Sequence, residues 1–262
     1  MTSPLVSCLC PTYGRYGMLR QALACFLAQA YEPKELIILN DHPTPIRCDY
    51  PGVRVVNAPE RYVGLGRKRQ ALLDLAEGEY AAHWDDDDLY LPWHLSHWLP
   101  VLQENCPKGL LQVYHAWSAR GILGNTDNPY RVRYLHINAY QSQHIYNVAT
   151  ARELGYGTSY VIETRMLHGK FVAKRLRHLE AGPPWCSMIY AWGDGLSHGS
   201  VAGESREGWE RYAAMNQDVS EKPLTPADLA RQFRAWRAFV VTLKDEDYSE
   251  PLAIIDGLLK GG

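Results

Sequence analysis

Glu77-Gly78-Glu79-Tyr80-Ala81-Ala82-His83-Trp84-Asp85-Asp86-Asp87-Asp88 is the stretch on which the reading of this chain turns. The glycine ends a helical pattern, Tyr80 to Trp84 reads as a short buried strand, and that strand runs straight into four consecutive aspartates. Four adjacent carboxylates repel one another, so the folded chain must compensate them with a bound cation, with Arg or Lys, or with raised pKa values. A hard divalent cation is the simplest compensation, because magnesium or manganese takes oxygen ligands and keeps positions open for water and phosphate. The plainer alternative is a solvated acidic loop capping the helix near Trp93.

Working outward, the first hundred residues alternate strand and helix in the rhythm of a parallel sheet. Leu5 to Cys10 is an apolar run halted by Pro11 and reads as the first strand. Met18, Leu19, Ala22, Leu23, Phe26 and Ala30 recur at three- and four-residue steps, which predicts a helix over 18–30 that packs on the sheet. Glu35 to Leu39 and Val53 to Val56 read as strands, and Arg67 to Ala76 as a second helix. This order places Pro11-Thr12-Tyr13, Asn40-Asp41 and Asp85 to Asp88 at carboxyl ends of strands, the edge that lines the ligand crevice of an open α/β sheet. Beyond Gly109, Leu110 to Tyr114, Arg131 to Ile137 and Ser187 to Trp192 read as strands with Gly- and Asn-rich connections. Pro223 to Lys244 is an amphipathic helix with Thr225 as its cap and Pro226 at the first helical position, and Pro251 to Leu259 forms a last short one.

Composition narrows the partners. The chain has 262 residues, 46% of them hydrophobic, and its 27 basic and 29 acidic residues leave a net charge of −2. That balance gives no global field that would draw nucleic acid or an anionic membrane. No window approaches the roughly 18 to 20 apolar residues of a membrane span, and Met1-Thr2-Ser3-Pro4 lacks a basic region followed by an apolar one, so the expectation is a cytoplasmic chain. Cys8, Cys10, Cys25, Cys48, Cys106 and Cys186 show no paired spacing and read as reduced, structural thiols.

Around the aspartates, Arg15, Arg67, Lys68 and Arg69 fall on the same predicted crevice edge, and Gly64-Leu65-Gly66 offers backbone amides at a helix start where phosphate binds readily. Asp41 is placed either to accept hydrogen bonds from a base or ribose or simply to make the turn in Asn40-Asp41-His42-Pro43.

These residues carry a resemblance. Val6-Ser7, Pro11-Thr12-Tyr13-x-Arg15, the helix through Gln29, Glu35 to Asp41, Gly64-Leu65-Gly66-x-x-Arg69 and Glu77-Gly78-Glu79-Tyr80 through Asp85 to Asp88 and Pro92 are collinear with the family 2 glycosyltransferases of the GT-A fold. The resemblance covers residues 5–102 and implies an α/β, GT-A type nucleotide-sugar-binding fold with a mostly parallel central sheet and a C-terminal helical segment. Residues 1–105 would form the nucleotide-sugar-binding half, 106–222 the acceptor-side half completing the same domain, and 223–262 the helical segment.

It further implies that Pro11, Thr12, Tyr13, Arg15 and Asp41 line the nucleoside pocket. Asp85-x-Asp87 would be the family's DxD signature on metal and diphosphate, with Asp87 the preferred ligand and Asp86 and Asp88 on the donor side. Gly64 and Arg69 join the donor set; Arg69 takes the Arg position of the family's Ala-Arg-Asn, with Gln70 in place of the Asn. In the second half, Arg152 to Gly157 followed by Val161-Ile162-Glu163-Thr164 resembles the glycine loop and acidic pair of inverting members, with Thr164 where Asp is expected, so Glu163 is the candidate general base. Trp192 to His198 resembles the segment that supplies a late His to the metal; His198 is the candidate ligand, and Asp194 a second candidate for either role.

The activity implied is transfer of a sugar from a nucleoside diphosphate donor, a UDP-sugar by expectation, to an acceptor hydroxyl with inversion, aided by manganese or magnesium. A catalytically silent nucleotide-sugar-binding module is a rival, motivated by Thr164. A nucleotidyltransferase is a weaker one, since it would carry a Gly-rich loop and a Lys where this chain has Pro11-Thr12-Tyr13. For the acceptor, Lys170, Lys174, Arg175, Arg177 and His178 make a basic run that suits an anionic glycan, lipid headgroup or modified nucleic acid, or else a solvated helix or hairpin face.

Overall fold

The computed structural model describes residues 3–113, 115–119, 133–136, 144–159, 163–174, 178–181, 187–191, 205, 207, 224–241 and 249–261. Within them the chain runs β1 (Val6–Thr12), α1 (Tyr16–Leu27), β2 (Lys34–Asn40), β3 (Val53–Asn57), α2 (Leu65–Leu75), β4 (Tyr80–His83), β5 (Leu89–Tyr90) and α3 (His94–Asn105). It continues through β6 (Leu110–Val113), β7 (His115–Ala119), β8 (Arg133–His136), β9 (His144–Asn147), α4 (Val148–Leu154), α5 (Glu163–Ala173), β10 (His178–Ala181) and β11 (Met188–Ala191). Helices α6 (Pro226–Val241) and α7 (Ser249–Gly261) follow.

Seven strands form the main sheet in the order β10-β6-β9-β4-β1-β2-β3. The β1, β2, β3 and β4 pairings are parallel, as is β10 with β6, and only β9 runs antiparallel to its neighbours. Alternation along β1 and β2 divides the core. Val6, Cys8, Cys10, Leu36 and Ile38 pack with α1 and α3, whereas Leu9, Ile37 and Leu39 pack with Leu72 and Leu73 of α2 on the other face. Both faces are covered, which is why these strands read as continuous apolar runs.

The chain leaves β1 for β2 and β3 on one side and returns to place β4 on the other. The carboxyl ends of β1, β2 and β4 therefore frame the topological switch point, where open α/β sheets hold ligands. Contrary to the expected stop at Pro11, β1 extends through Thr12. Leu9 O accepts from Trp84 N, so the main-chain groups of Pro11, two residues on, face the same side, beyond the last β1–β4 pair at Leu9↔His83. No ladder bond is lost there, and Pro11 and Thr12 still pair with Leu39 and Asn40 of β2.

The second half adds more than completion of that sheet. β6, β9 and β10 extend it, while β5, β11, β7 and β8 form a separate four-stranded sheet in that order. The expected strands near 110–114 and 187–192 thus belong to different sheets. Helix α6 starts at Pro226 as expected: Thr225 Oγ1 accepts from Asp228 N at 3.2 Å, and Asp228 Oδ2 accepts from Thr225 N at 3.0 Å. Phe233, Trp236, Val240 and Ile255 carry α6 and α7 into the core shared with α1 and α3, and Arg20 ties α1 to Asp228 at 3.0 Å.

Gln29 and Ser187 pin the turn between β5 and α3. Gln29 Nε2 donates to Leu91 O at 2.8 Å, and its Oε1 accepts from Leu95 N at 3.1 Å. Ser187 Oγ accepts from Trp98 Nε1 at 2.7 Å and lies 2.8 Å from His94 Nδ1. Burial pushes the His94 imidazole down to about 3, against an ordinary value near 6.5. Between those values the unfolded chain binds a proton that the folded chain refuses. Stability is therefore lost as pH falls below about 6.5, at up to about 1.4 kcal/mol per pH unit from this group. Urea unfolding compared at about pH 6.5 and pH 5 should show a loss roughly 2 kcal/mol smaller in His94→Gln than in the native sequence. Parallel profiles would remove His94 as the cause.

No helix among the described residues is long and apolar enough to cross a membrane. Five of the cysteines are free, and four of these, Cys8, Cys10, Cys25 and Cys106, are buried; Cys186 lies outside the described residues.

Candidate active site

Trp84 sets the base of the site. Its indole is fully buried, stacks on Tyr90 with centroids 4.0 Å apart, and donates from Nε1 to Ala22 O at 2.9 Å. Asp85 N donates to the Tyr90 hydroxyl at 2.8 Å, so the acidic turn leaves the core from a fixed point. The four aspartates then alternate. Asp86 and Asp88 are 1% and 2% exposed, whereas the side chains of Asp85 and Asp87 keep 15% and 17%. The two carboxylates open to the crevice are thus the two ends of the expected Asp-x-Asp.

Two protein cations, Arg15 and Arg69, pair with three of these carboxylates. Arg15 forks Asp86, with Nε 3.2 Å from Oδ2 and Nη2 on Oδ1, and its Nη1 donates to Asp87 Oδ2 at 3.1 Å. Thr12 Oγ1 donates to Asp86 Oδ2 at 2.6 Å. Arg69 Nη2 donates to Asp85 Oδ1 at 2.7 Å. Burial, opposed by the Arg15 charge and reinforced by Asp87, raises the Asp86 carboxyl to about 6.

Asp41 is 3% exposed at the end of β2. Its carboxylate pairs with Lys68 Nζ and accepts from Tyr62 N at 2.9 Å. Lys68 also donates to Thr12 O, tying α2 to the tip of β1. Burial pushes the Lys68 ammonium down and the adjacent Asp41 carboxylate opposes that. Lys68, expected on the crevice edge with no role of its own, is thus a structural tie between α2, β1 and β2; its signal in the sequence is a cation where the family pattern has alanine. Beside the tip of β1, the Arg61 guanidinium lies 4.8 Å over the Tyr13 ring and His42 meets Tyr13 edge-on at 4.9 Å.

Gly14 makes the β1–α1 turn at φ 61°, and a Cβ there would sit 2.8 Å from the His42 ring. Gly14→Ala is expected to cost about 1–2 kcal/mol of stability through the left-handed backbone alone. Denaturant midpoints at unchanged slope check it, and a loss below about 0.5 kcal/mol would mean that the turn rearranges freely.

One expectation is narrowed. Gly64 does adopt φ 90° before α2, but Gly66 N donates to Ser159 O at 2.9 Å, so that amide is engaged within the protein rather than offered to phosphate. Within the basic run, Lys170 Nζ donates to Leu154 O at 3.0 Å and Gly155 O at 2.7 Å, capping α4, and the backbone of His178 opens strand β10. Lys174 is exposed, and Arg175 and Arg177 lie outside the described residues. So do Asp194 and His198, and for Glu163 only the backbone, at the first position of α5, is described. Among the described residues no group of three or more His, Cys, Asp or Glu side chains converges as a metal cage. Asp85 and Asp87 fit the other arrangement, in which one or two carboxylates hold a metal and substrate phosphates complete its shell. Beneath them, His83 Nε2 meets the Tyr156 hydroxyl, which lies 2.7 Å from that of Tyr146, a buried polar chain with no counterpart in the sequence reading.

A family match and two fold likenesses together set the class, a glycosyltransferase of the GT-A fold. The chain belongs to glycosyl transferase family 2, which it matches over residues 7–176. Over 106 residues it is 30% identical to an uncharacterized glycosyltransferase of Rickettsia typhi, 39% of this chain and 33% of that one. Over 109 residues it is 32% identical to the putative colanic acid biosynthesis glycosyl transferase WcaA of Escherichia coli, 39% of each. The matched segment therefore spans a third to two fifths of these curated relatives. Among solved structures, S. aureus TarS 1–349 in complex with UDP-GlcNAc superposes with a TM-score of 0.55 at 15% identity, covering 97% of this chain and 71% of that one. The mannosyltransferase PcManGT of Pyrobaculum calidifontis, in complex with GDP-Man and Mn2+, gives 0.52 at 14% identity, covering 99% and 75%. These two likenesses speak to the fold.

Proposed function

We propose that this chain transfers a sugar from a nucleoside diphosphate donor, a UDP-sugar in the first instance, to an acceptor hydroxyl with inversion and with the aid of manganese or magnesium. The observation that carries the reading is the alternation at the switch point: Asp85 and Asp87 keep exposed carboxylate while Asp86 and Asp88 are buried. Asp87 and Asp85 would hold the cation, which when bound offsets charge building on the leaving diphosphate. Arg15 and Arg69 stand beside it as fixed cations, and the Tyr13 ring, already in contact with Arg61 and His42, would pack against the base. The half formed by residues 1–105 would hold the donor and the half formed by 106–222 the acceptor, with Glu163 as general base and Asp194 and His198 as further candidates.

The structural neighbours carry both uridine and guanosine diphosphate sugars, so the donor test includes both. Thermal shift and calorimetry with UDP, GDP, CDP and ADP, each with and without Mn2+, should single out UDP with a metal-dependent affinity. Equal or absent binding of all four would overturn the donor assignment. Release of free sugar from the matching nucleotide-sugar then separates an enzyme from a silent binding module.

A further inference from the structure

Asp86 occupies the middle of Asp85-x-Asp87, a position that the motif leaves open, and here it is the most constrained carboxylate of the four. Its side chain is fully buried, Thr12 donates to it, and the Arg15 fork closes on both of its oxygens. A two-point carboxylate–guanidinium pair fixes the plane of the guanidinium as a single contact does not. With Nε and Nη2 taken by Asp86, Nη1 is directed at Asp87 Oδ2, 3.1 Å away. The Arg15 side chain is 10% exposed and that of Asp87 17%, whereas that of Asp86 is fully buried, so one contact is anchored inside the protein and the other lies nearer the surface. Backbone geometry holds this arrangement from below, since Arg15 follows Gly14 in its left-handed turn and stands immediately before α1.

Resting on the metal-dependent reading above, we infer that Arg15, anchored by Asp86, is a positioning residue that keeps Asp87 closed to a divalent cation until a nucleotide diphosphate arrives. A cation entering alone must take Asp87 from a full positive charge that cannot retreat, because Asp86 holds it, and the two cations then repel at close range. A diphosphate changes the balance by bringing enough negative charge to satisfy both. The Arg15 Nη1 donor can pass from Asp87 to a phosphate oxygen while the cation takes the carboxylate. Metal and nucleotide thus load together, each strengthening the other by the same factor.

Arg15→Gln separates the two effects because they have opposite signs. Mn2+ alone, titrated by electron paramagnetic resonance, should bind Arg15→Gln at least about 5-fold more tightly than the native chain, since the competing charge is gone. UDP or GDP at saturating Mn2+, measured by calorimetry, should bind at least about 10-fold more weakly, since a phosphate contact is gone. Loosening of the fold would weaken both. Arg15→Lys keeps the charge without the fork and should fall between on both scales. If Arg15→Gln fails to fold by circular dichroism, Arg15→Lys carries the test, and native affinity for nucleotide with Mn2+ in that variant overturns the inference. A native chain whose nucleotide binding ignores Mn2+ would overturn the metal reading and this inference with it. A native chain with strong metal–nucleotide linkage, beside an Arg15→Gln that binds Mn2+ alone no better, would overturn this inference only.

Discussion

Asp87→Asn abolishes metal-dependent nucleotide binding while the chain stays folded: the expected loss is at least about 100-fold in affinity for UDP with Mn2+, equivalent to roughly 2.7 kcal/mol. The substitution removes a negative charge and little volume. Asp87 is the more exposed of the two crevice carboxylates, and its partner among the described residues is Arg15. The change should therefore leave the Trp84–Tyr90 stack and the Arg15–Asp86 pair in place and cost little stability. The remaining carboxylate toward the crevice, Asp85, has one oxygen on Arg69 and would have to hold the cation largely by itself. Calorimetry with and without Mn2+, beside a thermal melt, separates the effect on binding from any effect on folding. Native affinity in Asp87→Asn would sink the assignment of the acidic tract to the metal.

What the sequence made legible follows the range of the interactions involved. β1, β2 and β4 are buried on both faces, so they announce themselves as apolar runs, and the motifs at their carboxyl ends fell on the switch point as expected. The helix expected over 18–30 spans Tyr16–Leu27 instead: Ala28 N still donates to Ala24 O, but Gln29 N turns to Phe26 O and Ala30 N to Pro92 O, so the helical ladder stops while the apolar positions continue. β9 gave no signal. It is four residues long, two of them polar, and it exists because it pairs with β4 and β6, sixty-odd and thirty-odd residues away. The compensation of the four aspartates was posed as three alternatives, and the structure uses two of them on protein groups alone: Arg15 and Arg69 pair with the tract, and the Asp86 pKa is raised. That Arg15 would close on Asp86, 71 residues on, cannot be read from either segment. It depends on β1 and β4 being neighbours and on a glycine turn that aims one at the other.

Turnover should fall by roughly 100-fold or more in Glu163→Gln with donor affinity nearly intact, the signature of a lost general base. Two hydrogen bonds locate the chain that leads into α5. Gly66 N donates to Ser159 O at 2.9 Å, and Tyr156 N to Gln70 Oε1 at 2.9 Å. The chain just before α5 is thereby tied to the helix that presents Arg69 to Asp85. Glu163 opens α5 four residues after Ser159, within about 14 Å of it even for a fully extended connection. One turn further on, Leu167 is buried against the α2 face with Leu72 and Leu73 and fixes the helix in place. Glutamine keeps the size and removes the proton acceptor, so the loss belongs to turnover rather than to binding. Asp194→Asn, made in parallel, tests the rival acid: if its turnover collapses while Glu163→Gln turns over normally, the base is Asp194. Proton NMR of the first product formed gives the configuration at the anomeric carbon. Full activity in both variants together with a retained anomer would overturn the inverting mechanism itself, because an inverting transfer needs a base on the acceptor side, and the site would then have to be read again from Asp85 outward.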